Sequence, residues 1–200
     1  SEMLSGISHD LRTPLTRLKL QLALMEQKDQ AEKMTSDIDE MEKMLNDYLQ
    51  YAKSQAEENS TKINVNEMIE KILNKYDLNK FKITSNEIVT IEGRENLIKR
   101  CIINIIGNAL AYGDKVQIEI KKSVNGAIII IEDNGPGIPK NEYVNVFKPF
   151  YRIDKSRGLN KAGVGLGLSI SQDIIKSHGG NILLSKSSIG GLLVKISLPF

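Results

Sequence analysis

Two runs of apolar residues at helical spacing open the chain, and they constrain its fold more than any other feature. Leu4, Ile7, Leu11, Leu15, Leu18, Leu22 and Met25 recur every three or four positions, and Met34, Ile38, Met41, Leu45, Tyr48 and Ala52 repeat the pattern. The stretch between them, residues 26–30, is polar and short, which predicts a hairpin of two antiparallel helices. Each stripe has the narrow width of a coiled-coil seam. Two helices alone bury such stripes poorly, so a second copy is expected to complete a four-helix bundle.

The pattern changes after the polar stretch 53–60, which reads as a linker. Short β-prone runs follow at 61–65, 81–84, 88–91, 115–122, 126–132, 181–186 and 191–197, with helical patterns at about 66–77, 94–111 and 165–178. Asn66 is the expected N-cap of the first of these helices, and Gly179-Gly180 the stop of the last. Between strand 126–132 and helix 165–178 only a short helix near 140–145 is expected, and a connection that long is usually functional. This half therefore reads as helices packed on one face of a mixed sheet. The 200 residues suffice for one ordinary domain and a small one, with 40% apolar residues to build cores. A net charge of +2, with both signs mixed along the chain, demands no nucleic-acid partner. Cys101, flanked by isoleucines, is the one cysteine, which excludes an internal disulfide and fits a reducing compartment. No apolar run approaches the roughly 20 residues that span a bilayer. The chain opens at Ser1 already inside a helical pattern, so it is read as a fragment of a longer protein.

Five short motifs carry chemistry. In SHDLRTPL, His9 lies off the apolar stripe, where a neutral imidazole is a good nucleophile near neutral pH. Asp10 can accept a hydrogen bond from one ring nitrogen, and Thr13, one turn on, can orient a water on the same face. Pro14 removes a helical hydrogen bond and is expected to bend the helix beside His9. A surface histidine and a chance kink is the plain alternative. In EDNGPGIP, the Asp133 carboxylate can accept from an exocyclic amine such as that of adenine, while Gly135 and Gly137 let the backbone approach a flat ring; an ordinary turn fits the same letters. Gly163, Gly165 and Gly167 precede a helix whose amides suit a phosphate, or form a hinge. Asn104 and Asn108 share a helix face in an apolar segment, and amide oxygens suit Mg2+. Phe147, Phe150, Arg152 and Arg157 lie in the long connection, where the bases can reach phosphates and the aromatics can anchor the loop.

Taken in order, these motifs resemble the H, N, G1, F and G2 boxes of bacterial two-component sensor histidine kinases, the stretches SHDLRTPLTRLKL and NALAYG being similar to the EnvZ type. The resemblance covers essentially the whole chain. It implies an α+β protein: a dimerisation and histidine-phosphotransfer hairpin over residues 1–56, forming a dimeric four-helix bundle, then a Bergerat-type α/β sandwich that binds ATP over 57–200. It implies autophosphorylation of His9, with Asp10 as the activating base and Thr13 positioning water for a phosphatase activity. The phosphoryl group would pass to an aspartate on a response regulator of the OmpR type. ATP and Mg2+ are the implied cofactors, Asn108 holding the metal and Asn104 lying beside the phosphates. The implied nucleotide contacts are Tyr112, Asp133, Gly135, Gly137, Ile138, Phe147, Phe150, Arg152, Arg157, Gly163, Gly165, Leu166, Gly167 and Leu168. A lid over roughly 140–163 and a catalytic domain swinging on the linker complete the picture. The expected setting is the cytoplasmic portion of a bacterial inner-membrane protein, with homodimerisation through 1–56. Two departures from the family pattern are Ala111, where a basic residue is common, and Val164, where threonine is common. Two other readings of the motifs are a protein-serine kinase on the same ATP-binding fold, which leaves His9 unused, and a non-catalytic nucleotide-binding scaffold.

Overall fold

The computed structural model describes the backbone of residues 2–25, 27–153 and 165–200, with the side chains of 2–12, 40, 43, 44, 47 and 50–57 left out. Two compact units divide the chain, Ser1–Glu58 and Asn59–Phe200. The first is the hairpin, made of α1 (Glu2–Ala23) and α2 (Lys28–Glu57). Leu22, Ala31 and Ile38 form a small buried cluster with Leu15 packed on it. Lys19 crosses from α1 to α2, its Nζ 2.6 Å from Asp39 Oδ1 and 2.7 Å from Glu42 Oε2. Hydrogen bonding to Asp39, then to Glu42, holds the Lys19 ammonium above the usual lysine range. The pairing of earlier α1 positions with later α2 positions fixes the antiparallel register. Pro14 lies inside the continuous α1. The expected linker differs: α2 runs on to Glu57, because Lys53, Gln55, Ala56 and Glu57 favour helix, and only residues 58–60 separate it from the next strand.

The second unit begins with β1 (Thr61–Asn64), α3 (Val65–Leu73), β2 (Phe81–Ser85), β3 (Thr90–Gly93) and α4 (Glu95–Tyr112). It continues through β4 (Val116–Ser123), β5 (Gly126–Asp133), α5 (Gly167–Ser177), β6 (Asn181–Lys186) and β7 (Leu192–Pro199). Five strands form one sheet in the order β2-β4-β5-β7-β6, with β2 and β4 parallel and the remaining pairs antiparallel. β1 and β3 pair antiparallel in a separate ribbon. Strand alternation turns Val116, Ile118 and Ile120 of β4, Ala127, Ile129 and Ile131 of β5, and Val194, Ile196 and Leu198 of β7 inward. Leu97, Ile98, Cys101, Ile102, Ile105 and Ile106 of α4 and Ile170, Ile174 and Ile175 of α5 are buried with them, so the helices cover one face. Burial pushes the Cys101 thiol up to about 12, which keeps it protonated and inert.

The cap of α3 is two residues earlier than expected. Asn64, not Asn66, is the N-cap, its side chain accepting from the Glu67 amide at 3.2 Å. Asn66 ties the helix to the next loop instead: Oδ1 accepts from the Val89 amide at 2.9 Å and Nδ2 donates to Ser85 Oγ at 2.7 Å. Gly179 and Gly180 do end α5, their amides returning to the Lys176 and Ile175 carbonyls. Among its described residues, the long connection between β5 and α5 holds two 3-10 turns, Lys140–Glu142 and Asn145–Phe147, where a short helix near 140–145 is expected. Gly107 sits exposed within α4, where a Cβ would meet nothing within 4 Å. Gly107→Ala is expected to raise the stability of the second unit by about 0.5–1 kcal/mol, read by urea denaturation; an unchanged midpoint would contradict this.

Candidate functional site

The inward series of β5 ends on a carboxylate. Asp133 follows Ala127, Ile129 and Ile131 on the core-facing register and is only 6% exposed. A buried carboxylate needs donors. Its Oδ1 accepts from the Gly135 amide at 2.8 Å and the Leu192 amide at 3.3 Å. Desolvation raises the Asp133 pKa above the ordinary aspartate value, opposed by the two amides. Gly135 crosses so near α4 that a Cβ there would lie 2.7 Å from the Tyr112 carbonyl and 2.8 Å from Asp133 Oδ1. Asn134 binds the same crossing, its Oδ1 accepting from the amides of Asp114 at 2.8 Å and Lys115 at 2.9 Å. The Tyr112 ring itself is about half exposed.

Asn104 and Asn108 lie half-buried on α4, opposite the start of α5. A Cβ on Gly167 would be 3.9 Å from Asn104 Cγ and 4.0 Å from Asn108 Nδ2, ordinary contact distances that place the start of α5 beside both amides. Leu166, the buried residue before α5, makes no side-chain cap bond, and the first-turn amides are therefore not satisfied by a cap. Leu168 is half-buried in that turn. Gly165, at φ 79°, accepts at its carbonyl from the Phe150 amide at 3.1 Å, and Phe150 has the left-handed φ of 63°. Tyr151 Oη donates to Glu142 Oε2 at 2.5 Å, which lowers the carboxyl pKa of Glu142 and raises that of Tyr151. The aromatics behave differently from expectation. Phe150 is exposed and Phe147 half-buried, while Val146 is the buried anchor of this segment. Ile138 and Arg152 are half-buried, and Gly137, at φ 72°, passes beside Gly191.

The fold thus sets Gly167 beside Asn104 and Asn108, and gathers Asp133, Gly135 and Gly137 with Gly191 where β5 ends beside Tyr112 of α4. Arg157 and Gly163 lie outside the described residues, as do the side chains of His9 and Asp10, whose backbone belongs to α1. Thr13 is exposed on α1. Sequence reading missed Asn134, Gly191 and Leu192. The glycine pair opening β7 was the available signal, but only the long-range contact with Asp133 gives it meaning. The site fits a nucleotide: one carboxylate at the end of a buried strand, glycine-lined backbone around it, and an uncapped helix start. Among the described residues no group of three His, Cys, Asp or Glu side chains can hold a metal by itself. Asparagine side-chain oxygens are hard donors of the kind that suits Mg2+, and those of Asn104 and Asn108 lie beside the uncapped start of α5.

Residues 93–200 match the family of histidine kinase-, DNA gyrase B-, and HSP90-like ATPases, and residues 1–57 match the His Kinase A (phospho-acceptor) domain. The chain is 34% identical over 200 residues to the sensor histidine kinase GtrS of Pseudomonas aeruginosa, covering 99% of this chain and 41% of that protein. It is 31% identical to the sensor histidine kinase CpxA of Escherichia coli K12, covering 98% of this chain and 46% of that protein. It therefore spans less than half the length of these two relatives. A full-length ShkA structure in complex with AMPPNP covers all of this chain and 46% of its own, with a TM-score of 0.72 at 21% identity, a likeness of fold. No helix among the described residues is long and apolar enough to cross a membrane.

Because the folded-state pKa of Asp133 is raised, the protonated form is favoured by folding. Its contribution to stability is present at low pH and is lost as pH rises from the unfolded aspartate value through the raised one. Asp133→Asn keeps an acceptor for both amides and removes the buried charge. The variant is expected to melt no lower than the parent at pH 7 while losing nucleotide affinity; a lower melting temperature at pH 7 would contradict the assignment of a destabilising charge.

Proposed function

The chain belongs to the sensor histidine kinases, joining a His Kinase A phosphoacceptor domain to an ATPase domain of the histidine kinase type, and from that premise we propose that it phosphorylates its own His9 from ATP and passes the group to a response regulator. The observation that carries this reading is the Asp133 carboxylate, buried at the end of β5 with Oδ1 saturated by backbone amides. Its second oxygen is then offered to the exocyclic amine of adenine. The first-turn amides of α5, with Asn104, face the phosphates, and Arg152 adds positive charge. Asn108 would hold Mg2+, which would supply charge neutralisation on the phosphates. Asp10 takes the proton from the His9 ring as the imidazole nitrogen bonds to the γ-phosphorus and the bond to the β,γ-bridging oxygen breaks. ADP leaves, and the phosphoramidate gives its phosphoryl group to an aspartate of a regulator of the OmpR type.

The domain limits under this reading are 1–56 for dimerisation and phosphotransfer and 57–200 for ATP binding. Homodimerisation through the hairpin is supported by its surface: Leu18, Leu20, Leu24, Met25, Met34, Met41 and Tyr48 are all exposed in a single copy. Burying these side chains in a four-helix bundle would supply what the small internal cluster cannot. Thr13, exposed on α1 one turn past His9, positions water for the reverse dephosphorylation of the regulator. Pro14, within α1, lets the helix take both geometries. In the full-length protein this is the cytoplasmic portion of an inner-membrane sensor, since ATP and the regulator are both cytoplasmic.

Incubation with γ-labelled ATP and Mg2+ is expected to give acid-labile, base-stable label on the parent and none on His9→Gln. Absence of label on a parent that binds ATP would favour a nucleotide-binding scaffold, to which Val164 and Ala111 would then belong. Thr13→Ala is expected to keep labelling and to lower regulator dephosphorylation about tenfold or more, and Pro14→Ala to shift the balance between the two activities. Equal loss of both activities in Thr13→Ala would remove its separate role.

A further inference from the structure

The turn between β6 and β7 folds on itself and then presses against Asp133. Its first residue, Ser187, is buried; the Ser187 amide donates to the Gly191 carbonyl at 2.9 Å, and Ser187 Oγ accepts from the Ile189 amide at 3.1 Å. Ser188 Oγ donates to Glu132 Oε2 at 3.0 Å, fastening the turn to the strand residue just before Asp133. The Gly191 amide donates to the Asp133 carbonyl at 3.0 Å, and the Leu192 amide reaches Asp133 Oδ1. Main chain and carboxylate of Asp133 are thus gripped by consecutive amides of one turn, 59 residues away in sequence for the Leu192 bond.

Gly191 has no room for a side chain. A Cβ there would fall on Asp133 Oδ1 itself and lie 2.6 Å from both the Asp133 carbonyl oxygen and the Gly135 nitrogen. Two of these three atoms are backbone, so rotating the carboxylate away would not relieve the overlap, and the end of β5 would have to move. Among the described residues no hydrogen bond is made to Asp133 Oδ2.

We propose that Gly191 and its turn are the positioning element of the base pocket: they fix the Asp133 carboxylate so that Oδ2 is the single acceptor presented to a purine carrying an exocyclic amine. The inference rests on the nucleotide reading of the site. Gly191 touches the carboxylate, not the base, and is a positioning residue. It selects the amino-purine by holding an acceptor still, at a position where a keto oxygen would meet a negative charge.

The test compares equilibrium binding of ATP and inosine triphosphate, which has a keto oxygen in place of the amine, by isothermal titration of the whole chain. The parent is expected to prefer ATP by about tenfold or more. Gly191→Ala, checked for an intact circular dichroism spectrum, is expected to lose that preference by weakening ATP while inosine triphosphate changes less than about threefold. In an Asp133→Asn background, Gly191→Ala is expected to have no further effect on ATP. Ser188→Ala, which inserts no atom, is expected to reduce the preference in the same direction and carries the test if Gly191→Ala does not fold. Equal weakening of both nucleotides, or additive losses with Asp133→Asn, would overturn the positioning role while leaving the nucleotide reading intact. A parent that binds no ATP would overturn that reading and the inference with it.

Discussion

A buried carboxylate at the end of the central strand is the constraint around which the second unit is arranged. Asp133 occupies a register position that the rest of β5 fills with aliphatic side chains. Leaving it there requires donors, and they come from backbone on two sides: the turn that follows β5 and the turn that precedes β7. Those donors can approach only because Gly135 and Gly191 lack side chains. The close crossing of Gly135 over the end of α4 then brings the helix that carries Asn104 and Asn108 beside the same carboxylate. Desolvation raises the Asp133 pKa above the ordinary aspartate value, and the Gly135 and Leu192 amides oppose that shift.

The hairpin depends on a different balance. Its internal cluster is small, and the Lys19 bridge to Asp39 and Glu42 sets register rather than supplying a core. Among the described residues, most of its large apolar side chains are exposed in a single chain, as the narrow stripes of the sequence imply.

Much of this was legible in the sequence because it depends on local periodicity. The hairpin and, among the described residues, the seven strands and three helices of the second unit follow from spacing. The glycine motifs lie at element ends, and Asn104 and Asn108 meet the start of α5 from one face of α4. What local pattern could not give is long-range. Asn66 looked like a cap because it precedes an apolar helix, yet Asn64 takes that role and Asn66 reaches across to Val89. The polar letters of residues 53–57 read as linker, although their helix propensity carries α2 to its end. The separate β1–β3 ribbon was invisible, since strand pairing is not encoded in either run alone. Gly191 read as the start of a strand, and its meaning lies in an atom of Asp133.

Amide chemical-shift mapping of the isotopically labelled chain, titrated with a non-hydrolysable ATP analogue and Mg2+, tests the central claim most directly. The account predicts that the largest changes fall on the amides of Asn104, Asn108, Asp133, Gly135, Gly137, Gly167, Leu168, Gly191 and Leu192. Changes confined to the hairpin or to the far ends of the strands, with these amides unmoved, would contradict it.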